Sequence, residues 1–393
     1  MTPDDLRGRI VDLDAHLMLY LPEVEEIVRT GPGGTPWPDR GGRPTLVEEV
    51  RRMILEDGLD PSGLGEAILA RRKQAHADVW NVRLWGAHGA QVAADRVDAL
   101  DQMGIHRQLV FSQFMEPPLN AACPEGAAAV SRYNDYVLEW AKGFDHRVIP
   151  VCLLNTYDVA TALAEASRVL SKGAKGLQLS GIQPPGGLSP AAPEWEPLWA
   201  MLAEAGVPAL LHYGGSGGSP TLLHASWYSA AWSLRPPPSD PSSDDFHARP
   251  FFWMTTHLFA EITLTFMVLG GVFERHPGLR FGVIESGASW VAAWCARMDN
   301  LAITTSTYLS RQLSLKPSEY VRRQIRVTPF EFEPVGSWIE QSGLDEVYAF
   351  STDYPHLEGG ETPIDAFRTS LAPAGDRAVE RFFVGNGADL LSA

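Results

Sequence analysis

Short apolar runs alternate along this chain with longer segments whose apolar positions follow the helical period. The eight apolar runs fall at 10–13, 108–112, 148–153, 176–179, 209–212, 279–285, 325–328 and 347–351. Helical periodicity occurs at 93–103, 127–142, 159–171, 195–205, 257–273, 289–301, 335–342 and 378–384. Buried strands that alternate with amphipathic helices are typical of a parallel sheet. The pattern therefore predicts an α/β fold, a closed (β/α)8 TIM barrel.

Two segments do not fit this repeat, and we expect both to be insertions at the catalytic face. They span 21–90 and 214–250, and each follows a predicted strand. Loops that follow barrel strands emerge where such enzymes build substrate pockets. The second insertion carries Trp227, Tyr228 and Trp232, which favour a lid or a subunit interface because large aromatic rings need burial. Its proline- and serine-rich part is equally compatible with a disordered solvent loop.

Length and charge narrow the class of protein. The 393 residues, 45 % of them hydrophobic, are enough for one elaborated barrel domain spanning 1–393. A net charge of −16 argues against nucleic acid or an anionic membrane as a partner. The most apolar later run, 258–273, is interrupted by Glu261 and is shorter than the roughly 20 residues that span a bilayer. It predicts a buried helix.

The first residues and the cysteines indicate a cytoplasmic protein. The sequence begins with acidic residues where a signal peptide would carry basic ones, and no apolar segment of signal length follows. Cys123, Cys152 and Cys295 lie far apart and lack the CxxC spacing of a thiolate metal site. We expect a small-molecule substrate rather than a macromolecular or membrane partner.

Three residues at strand ends suggest a metal site. In the first predicted strand, Asp14 and His16 stand two positions apart, so both side chains point the same way, into the barrel. Such a pair is also compatible with a hydrogen-bonded structural couple. His212 ends the apolar run VPALLH, at the end of a strand where barrel enzymes place catalytic groups. Position therefore favours a functional role for all three.

The last predicted strand adds a second carboxylate. Asp353 ends this strand, and His356 follows three residues later. Barrel closure brings the eighth strand beside the first, so Asp353 can converge with Asp14, His16 and His212. The alternative is that Asp353 only caps the following turn. Nitrogen and oxygen ligands without sulfur suit one divalent ion, with zinc as our first choice and manganese or iron as alternatives.

Two further residues are candidate proton carriers. Glu285 follows the sixth predicted strand, where a buried carboxylate needs a metal, a proton or a cationic partner such as Arg297 or Arg326. His257 opens the helix after the second insertion, and histidine titrates near neutrality. Its alternative is a surface histidine at a helix N-terminus. Asp353 is also a catalytic candidate.

These residues lie in a set of segments that resembles the decarboxylase-like branch of the amidohydrolase superfamily, the group of aminocarboxymuconate-semialdehyde decarboxylase and the aromatic-acid decarboxylases. The resemblance extends along nearly the whole chain, and its segments are VDLDAH at 11–16, GAKGLQL at 173–179, EPLWAMLAEAGVPALLHYG at 196–214, GGVFERHPGLRFGVIESGASWVAAWCARMD at 270–299, STDYPH at 351–356 and the closing GNGADLL. It implies a distorted (β/α)8 barrel and one metal ion held by Asp14, His16, His212 and Asp353. It also implies a homodimer or higher homo-oligomer.

The resemblance implies a metal-dependent decarboxylase, a lyase that acts on a small aromatic or unsaturated acid. One departure leaves the proton donor open, because the well-studied decarboxylases carry His-x-Gly where this chain has Glu285-Ser-Gly. Either Glu285 or His257 donates, or the reaction differs. The alternative is a hydrolase or hydratase, with water activated by the metal and Glu285 as base. A third hypothesis is an inactive barrel that serves as a binding protein.

Overall fold

The computed structural model describes residues 1–29, 45–56, 58–61, 79–180, 185–212 and 254–391. The second predicted insertion, 214–250, lies outside these residues, as do parts of the first. The lid and the solvent loop that the second insertion suggests therefore stay predictions, as does the single-domain organisation.

All strand pairings are parallel. The strands are β1 (Ile10–Asp12), β2 (His16–Leu17), β3 (Ile105–Ser112), β4 (Val148–Pro150), β5 (Cys152–Leu154), β6 (Leu177–Leu179), β7 (Ala209–His212), β8 (Phe281–Ile284) and β9 (Ile325–Val327). β1, β2 and β4 all pair with β3, and the other sheet has the order β5-β6-β7-β8-β9. β1 with β2, and β4 with β5, are each one interrupted barrel strand.

Backbone hydrogen bonds close these strands into a barrel. The Val151 amide donates to the Val110 carbonyl at 2.9 Å and joins the two sheets. At the other end, the Ala349 amide donates to the Val327 carbonyl at 3.0 Å, and the Leu13 amide donates to the Phe350 carbonyl at 3.0 Å. The segment 347–354 therefore serves as the eighth strand between β9 and β1. The predicted TIM barrel is confirmed.

Helices cover the outside of the barrel. The longer ones are Leu21–Val28, Leu46–Glu56, Ala93–Met103, Pro124–Trp140, Val159–Ser171, Glu196–Ala205, Leu258–Leu269, Val291–Thr304, Pro317–Gln324, Val335–Ser342 and Pro363–Leu371. Shorter ones are Pro3–Leu6, Glu116–Leu119, Val272–Arg275, Ser306–Leu309, Asp376–Glu380 and Asn386–Leu390, with a π-helix at Arg381–Gly385. No helix in the described ranges is both long and apolar enough to cross a bilayer.

Local chemistry fixes several helix ends where the sequence predicts them. The Asp158 carboxylate accepts the Thr161 amide at 2.8 Å and caps Val159–Ser171. Gly104 and Gly206 end Ala93–Met103 and Glu196–Ala205 in the left-handed conformation that glycine adopts without strain.

Several predicted elements differ from the structure: the strand predicted at 148–153 is two strands, the helix predicted at 378–384 is an α-helix followed by a π-helix, and two further differences concern 257–273 and 347–351. The helix predicted at 257–273 is two helices, Leu258–Leu269 and Val272–Arg275, because Gly270 and Gly271 stop the first one. Its burial is also only partial, since Ile262 and Phe266 are 39 % and 53 % exposed. The predicted strand at 347–351 is held by isolated bridges and single bonds rather than by a regular ladder.

Alternate residues of the strands fill the inside of the barrel. One buried cluster contains Val11, Leu13, Leu109, Phe111, Ile149, Val151, Leu210, Ile284 and Ala349. The spacing of two within each strand places these side chains on the inner face. Leu390, from the last helix, packs into the same cluster. The polar residues at the carboxyl ends of the strands therefore stand above a closed apolar core.

Candidate active site

Five of the six predicted site residues lie at the carboxyl ends of barrel strands, and the sixth, His257, precedes a helix. His16 begins β2, and Asp14 stands two positions before it. His212 is the last residue of β7, and Glu285 directly follows β8. Asp353 follows the closing segment, where its amide donates to the Asp14 carbonyl at 3.0 Å. All five are between 1 % and 9 % exposed, so the site is buried.

Four of these residues form one compact group. Potential ligand atoms of Asp14, His16, His212 and Glu285 all lie within 4.8 Å of one another. Nε2 of His212 is 3.3 Å from Oδ1 of Asp14 and 3.4 Å from Oε2 of Glu285. Nε2 of His16 is 3.5 Å from Oδ1 of Asp14. Convergence of acids and imidazoles at this distance is the arrangement that a divalent ion requires.

Asp353 belongs to an adjoining group that shares His16. Its Oδ1 is 3.0 Å from Nε2 of His16 and 2.8 Å from Nδ1 of His356. The His356 ring stacks on the His16 ring with 3.8 Å between centroids, and its Nε2 contacts Oε1 of Gln113. The structure thus brings the four predicted ligands together in two overlapping groups, with Glu285 in one and His356 in the other.

The polar atoms of this site fit a metal ion. Nδ1 of His16, Nδ1 of His212 and Oδ2 of Asp353 are buried without a hydrogen-bond partner among the described residues. Buried polar groups nearly always have a partner, so orphaned atoms need an explanation. An ion coordinated by nitrogen and oxygen supplies one, and these residues are the ones that would hold it.

Electrostatics keep the acids ionised. Burial by itself raises the pKa of Asp14, but the charge of His212 and the imidazoles of His16 and His212 outweigh it, so the pKa is lowered. The pKa of Asp353 is lowered in the same way, since the charge of His356 and the contact with His16 exceed the effect of burial. Burial lowers the pKa of His16, but the carboxylates of Asp14 and Asp353 raise it overall.

Two of the carboxylates stand on left-handed backbone. Glu285 has φ 52° and Asp353 has φ 53°, values that residues with a Cβ rarely adopt. Hydrogen bonds fix the loop that carries Glu285, because the Glu333 carboxylate accepts the amides of Ala288 at 3.0 Å and Ser289 at 3.2 Å. Such strain persists only where surrounding contacts enforce it, and it is common at active sites.

The second proton-carrier candidate, His257, lies beside this site rather than in it. It precedes the helix Leu258–Leu269, with Nε2 3.8 Å from Oε2 of Glu261. Its ring stacks on Trp290, whose indole donates to the Gly287 carbonyl at 2.9 Å. Burial lowers the pKa of His257, against the charge of Glu261. His257 therefore contacts the loop that carries Glu285 and not the clustered ligands.

Neither Arg297 nor Arg326, the two predicted cationic partners of Glu285, forms an ion pair with it in the described part of the chain. Nη2 of Arg326 lies 3.3 Å from Oδ2 of Asp389, and Arg297 is exposed on the helix Val291–Thr304. The side chain of Glu285 instead faces His212.

The structure adds two acids that the sequence reading did not single out. Asp12 is fully buried two positions before Asp14, on the face of β1 opposite to Val11 and Leu13 of the barrel interior. Glu116 is 9 % exposed at the start of the short helix Glu116–Leu119 that follows β3, and burial raises the pKa of its carboxyl against the charges of His212, His16 and His356. A carboxylate shortly after a strand end was the available signal for Glu116.

Comparison with known proteins identifies the family. The sequence model described as amidohydrolase matches residues 75–392, which is most of the chain. Among curated proteins, none matches this sequence.

Solved structures share the fold over the full length. An amidohydrolase from Mycobacterium avium subsp. paratuberculosis is 23 % identical with a TM-score of 0.69, and the match covers 98 % of this chain and 99 % of that one. The 5-carboxyvanillate decarboxylase of Novosphingobium aromaticivorans, complexed with manganese and 4-hydroxy-3-methoxy-5-nitrobenzoic acid, is 17 % identical with a TM-score of 0.61 and covers 100 % of both chains. The 2,6-dihydroxybenzoate decarboxylase of Rhizobium is 15 % identical with a TM-score of 0.60, over 98 % and 99 %. The barrel, the buried ligand group and the family match agree that this chain belongs to the amidohydrolase family and is an enzyme, a lyase or a hydrolase.

Proposed function

We propose that this protein is a metal-dependent non-oxidative decarboxylase, a carboxy-lyase that acts on a small aromatic or unsaturated carboxylic acid. The observation that carries the proposal is the buried group of Asp14, His16, His212 and Glu285 at the carboxyl ends of the strands. The fold shared with decarboxylases of 5-carboxyvanillate and 2,6-dihydroxybenzoate supports the choice of reaction.

We infer one divalent ion, held by Asp14, His16, His212 and Asp353, with Glu285 beside them. Zinc is our first choice from the ligand types, and iron is an alternative. Manganese deserves an equal place in the test because the 5-carboxyvanillate decarboxylase structure contains it. When bound, the ion supplies Lewis-acid polarisation of the substrate carboxylate and an adjacent oxygen.

The residues of this chain must then deliver one proton. Breaking the carbon–carbon bond releases CO2 and leaves the electron pair on the substrate carbon, which has to be protonated. Glu285 is our first candidate because its carboxyl lies among the ligands. Glu116 is a second, since its raised pKa lets it keep a proton at a higher pH than an ordinary glutamate. His257 is a third, and reaches the site only through the loop that it contacts.

Hydrolysis or hydration is the second candidate function. It is favoured by Glu285, whose Oε2 lies 3.4 Å from Nε2 of His212. This glutamate stands where the His-x-Gly pattern of the decarboxylases that the sequence resembles has histidine. A carboxylate there takes a proton from water as readily as it gives one to carbon. In this alternative the bound ion would activate water, and Glu285 is the base that takes its proton.

The deciding experiment is elemental analysis of the purified protein, followed by a CO2-release assay on the same sample. The substrates are a panel of hydroxybenzoates and small unsaturated acids. One equivalent of zinc, manganese or iron together with CO2 release supports the decarboxylase. Metal without CO2 release from any acid favours the hydrolase or hydratase, and absence of metal contradicts both.

We also propose a homodimer, because a surface formed by the three helices Leu258–Leu269, Val291–Thr304 and Ser306–Leu309 is unusually apolar. Ile262, Phe266, Leu301 and Tyr308 are 39 %, 53 %, 45 % and 64 % exposed. They line two adjoining grooves of about 290 and 370 Å³. Contiguous apolar surface of this kind marks interaction sites.

A second copy of the chain suits this face. Glu261 and Arg297 line the same groove, and a two-fold axis that passes between them would bring Glu261 of one copy opposite Arg297 of the other. The cysteines Cys123, Cys152 and Cys295 are free thiols, which fits the cytoplasmic location that we propose.

A further inference from the structure

A buried carboxylate ties together the two segments that carry the metal ligands. Oδ1 of Asp12 accepts the amide of Asp14 at 3.1 Å and the amide of Thr352 at 2.9 Å. Oδ2 of Asp12 accepts the Thr352 hydroxyl at 2.6 Å and Nε2 of Gln108 at 2.7 Å. Asp14 is itself a ligand, and Thr352 directly precedes Asp353. One side chain therefore fixes the spacing of the first and eighth strands at the point where each presents a carboxylate.

The same hydrogen-bond chain continues to the backbone of His16. Oε1 of Gln108 accepts Nη1 of Arg96 at 2.9 Å, and Nη2 of Arg96 donates to the His16 carbonyl at 2.7 Å. Nε of Arg96 donates to the Gly89 carbonyl at 2.7 Å. The guanidinium also lies 5.1 Å from the centre of the Tyr354 ring, next to Asp353 in the sequence. Arg96, which is not part of that strand, therefore fixes the backbone of His16 through a hydrogen bond.

These contacts are costly for a purely structural role. Asp12, Gln108 and Arg96 are all fully buried, and the acid and the base are bridged by the Gln108 amide rather than paired directly. Burial raises the pKa of Asp12 to about 7 and lowers the pKa of Arg96 to about 10, so it penalises the charged form of both, and apolar residues of similar volume often give equal or greater stability. What apolar residues do not provide is directional control of a neighbouring backbone. Hydrogen-bond partners of this kind orient metal ligands and tune the affinity of a site.

We propose that Asp12, Gln108, Arg96 and Thr352 form a positioning network that sets the geometry and affinity of the metal site. The network acts on Asp14, His16 and Asp353 through their backbone, and none of its members is a ligand. The inference rests on the metal site proposed above and deepens it. The proposal goes beyond a role in folding. A purely structural network would lower the melting temperature and leave Mn²⁺ affinity unchanged, whereas this network is expected to change Mn²⁺ affinity as well.

The chain offers a matched pair of buried glutamines for the test. Gln324 is fully buried like Gln108, and its Nε2 donates to the carbonyls of His276 and Leu279 at 2.9 and 3.1 Å, ahead of β9 and away from the ligands. Gln108→Leu and Gln324→Leu each remove the hydrogen bonds of one buried side-chain amide, to charged side chains at Gln108 and to backbone carbonyls at Gln324. Both are expected to lower the melting temperature. Only Gln108→Leu is expected to lower Mn²⁺ affinity, by roughly tenfold to a hundredfold.

A second pair of variants, Thr352→Val and Thr352→Ser, tests the same proposal if Gln108→Leu does not fold. Thr352→Val preserves shape but removes the hydroxyl, whereas Thr352→Ser preserves the hydroxyl that Asp12 accepts. Thr352→Val is expected to weaken Mn²⁺ binding and to shift the visible absorption of the Co²⁺-loaded protein, and Thr352→Ser to restore both. Affinity is measured by the paramagnetic resonance of free Mn²⁺, without any assay of turnover.

The outcomes separate the two proposals. Parent protein that binds no Mn²⁺, Co²⁺ or Zn²⁺ overturns the metal site and this inference with it. Parent protein that binds Mn²⁺, together with Gln108→Leu or Thr352→Val that binds it equally well with an unchanged Co²⁺ spectrum, overturns the positioning network alone. Equal loss of affinity in Gln324→Leu also overturns it, because the effect then follows general destabilisation.

Discussion

Oδ1 of Asp353 lies 3.0 Å from Nε2 of His16, so the end of the barrel meets its beginning at the candidate site. The two residues are far apart in sequence and are brought together only by closure of the barrel. An ion bound here would therefore link the first and last strands of the fold, and metal binding is expected to stabilise the whole domain as well as to supply chemistry.

The first prediction concerns the ligands. His212→Ala and Asp353→Asn should each lose bound metal and activity together, because each removes one donor from a buried set. The circular dichroism spectrum should remain that of the folded barrel. Metal content is measured by elemental analysis on the folded variant. Normal metal content in both variants would contradict the proposed ligand set.

The second prediction concerns the proton donor. Glu285→Gln keeps the size of the side chain but removes its proton transfer, so the variant should keep the metal and lose turnover by about a hundredfold or more. Turnover and metal content are measured on the same sample. Loss of the metal instead would make Glu285 a ligand, and turnover at the parent rate would make it structural.

Glu116→Gln is the matched comparison for that experiment. Glu116 lies outside the ligand group, so its substitution should leave metal content unchanged. If Glu116 rather than Glu285 is the donor, Glu116→Gln shows the larger loss of turnover, and the alkaline limb of the pH–rate profile, where the donor loses its proton, disappears with it. If Glu285 is the donor, the profile of Glu116→Gln keeps its shape.

The third prediction concerns pH. The raised pKa of His16 stabilises the metal-free protein below the ordinary histidine range, and this contribution is lost as pH rises through the raised value. The lowered pKa values of Asp14 and Asp353 stabilise it above the ordinary aspartate range, and this is lost only in acid. The metal-free protein should therefore be less stable in alkaline than in mildly acidic buffer.

Metal binding should reverse that trend. The ion has to displace the proton of His16, so affinity is expected to rise by up to about tenfold per pH unit for each proton released. The measurement is the shift in melting temperature on addition of Mn²⁺, compared at about pH 6 and about pH 8.5. A shift that is equal or smaller at the higher pH would contradict the assignment of His16 as a ligand.

The fourth prediction concerns the dimer. Phe266→Asp places a charge at the centre of the exposed apolar face, and it should convert a dimer to a monomer with half the mass by light scattering. Ile303→Asp is the control, because Ile303 is 74 % exposed and does not line the grooves. A dimer that survives Phe266→Asp, or a parent protein that is already monomeric, contradicts this interface.

The sequence predicted those parts of the fold that depend on local pattern. The helices Ala93–Met103 and Val159–Ser171 and the strand Ala209–His212 begin and end at the predicted residues, since apolar periodicity and capping residues act locally. The same alternation placed Asp14 and His16 on one face. The convergence of Asp353 with Asp14 and His16 could be predicted because a closed barrel places its eighth strand beside its first. That prediction came from the fold and not from the local sequence around Asp353.

Features that depend on distant contacts could not be predicted in the same way. The residues around Phe350 form no regular ladder, although their apolar pattern is that of a strand, because pairing there is set by both neighbours. The role of Asp12 depends on Gln108 and Thr352, which come from two other strands. The position of Glu285 beside Asp14, His16 and His212 goes with a left-handed backbone at this residue, and no sequence pattern predicts that conformation.

That backbone gives the family a measurable trade-off. Left-handed conformation costs roughly 1–2 kcal/mol at a residue with a Cβ, and both Glu285 and Asp353 adopt it. Glycine at either position would relieve the cost and remove a carboxylate from the site. A variant of this chain with glycine at either position is therefore expected to unfold at a higher temperature while it loses a carboxylate of the candidate site, so stability and chemistry oppose each other at these two residues.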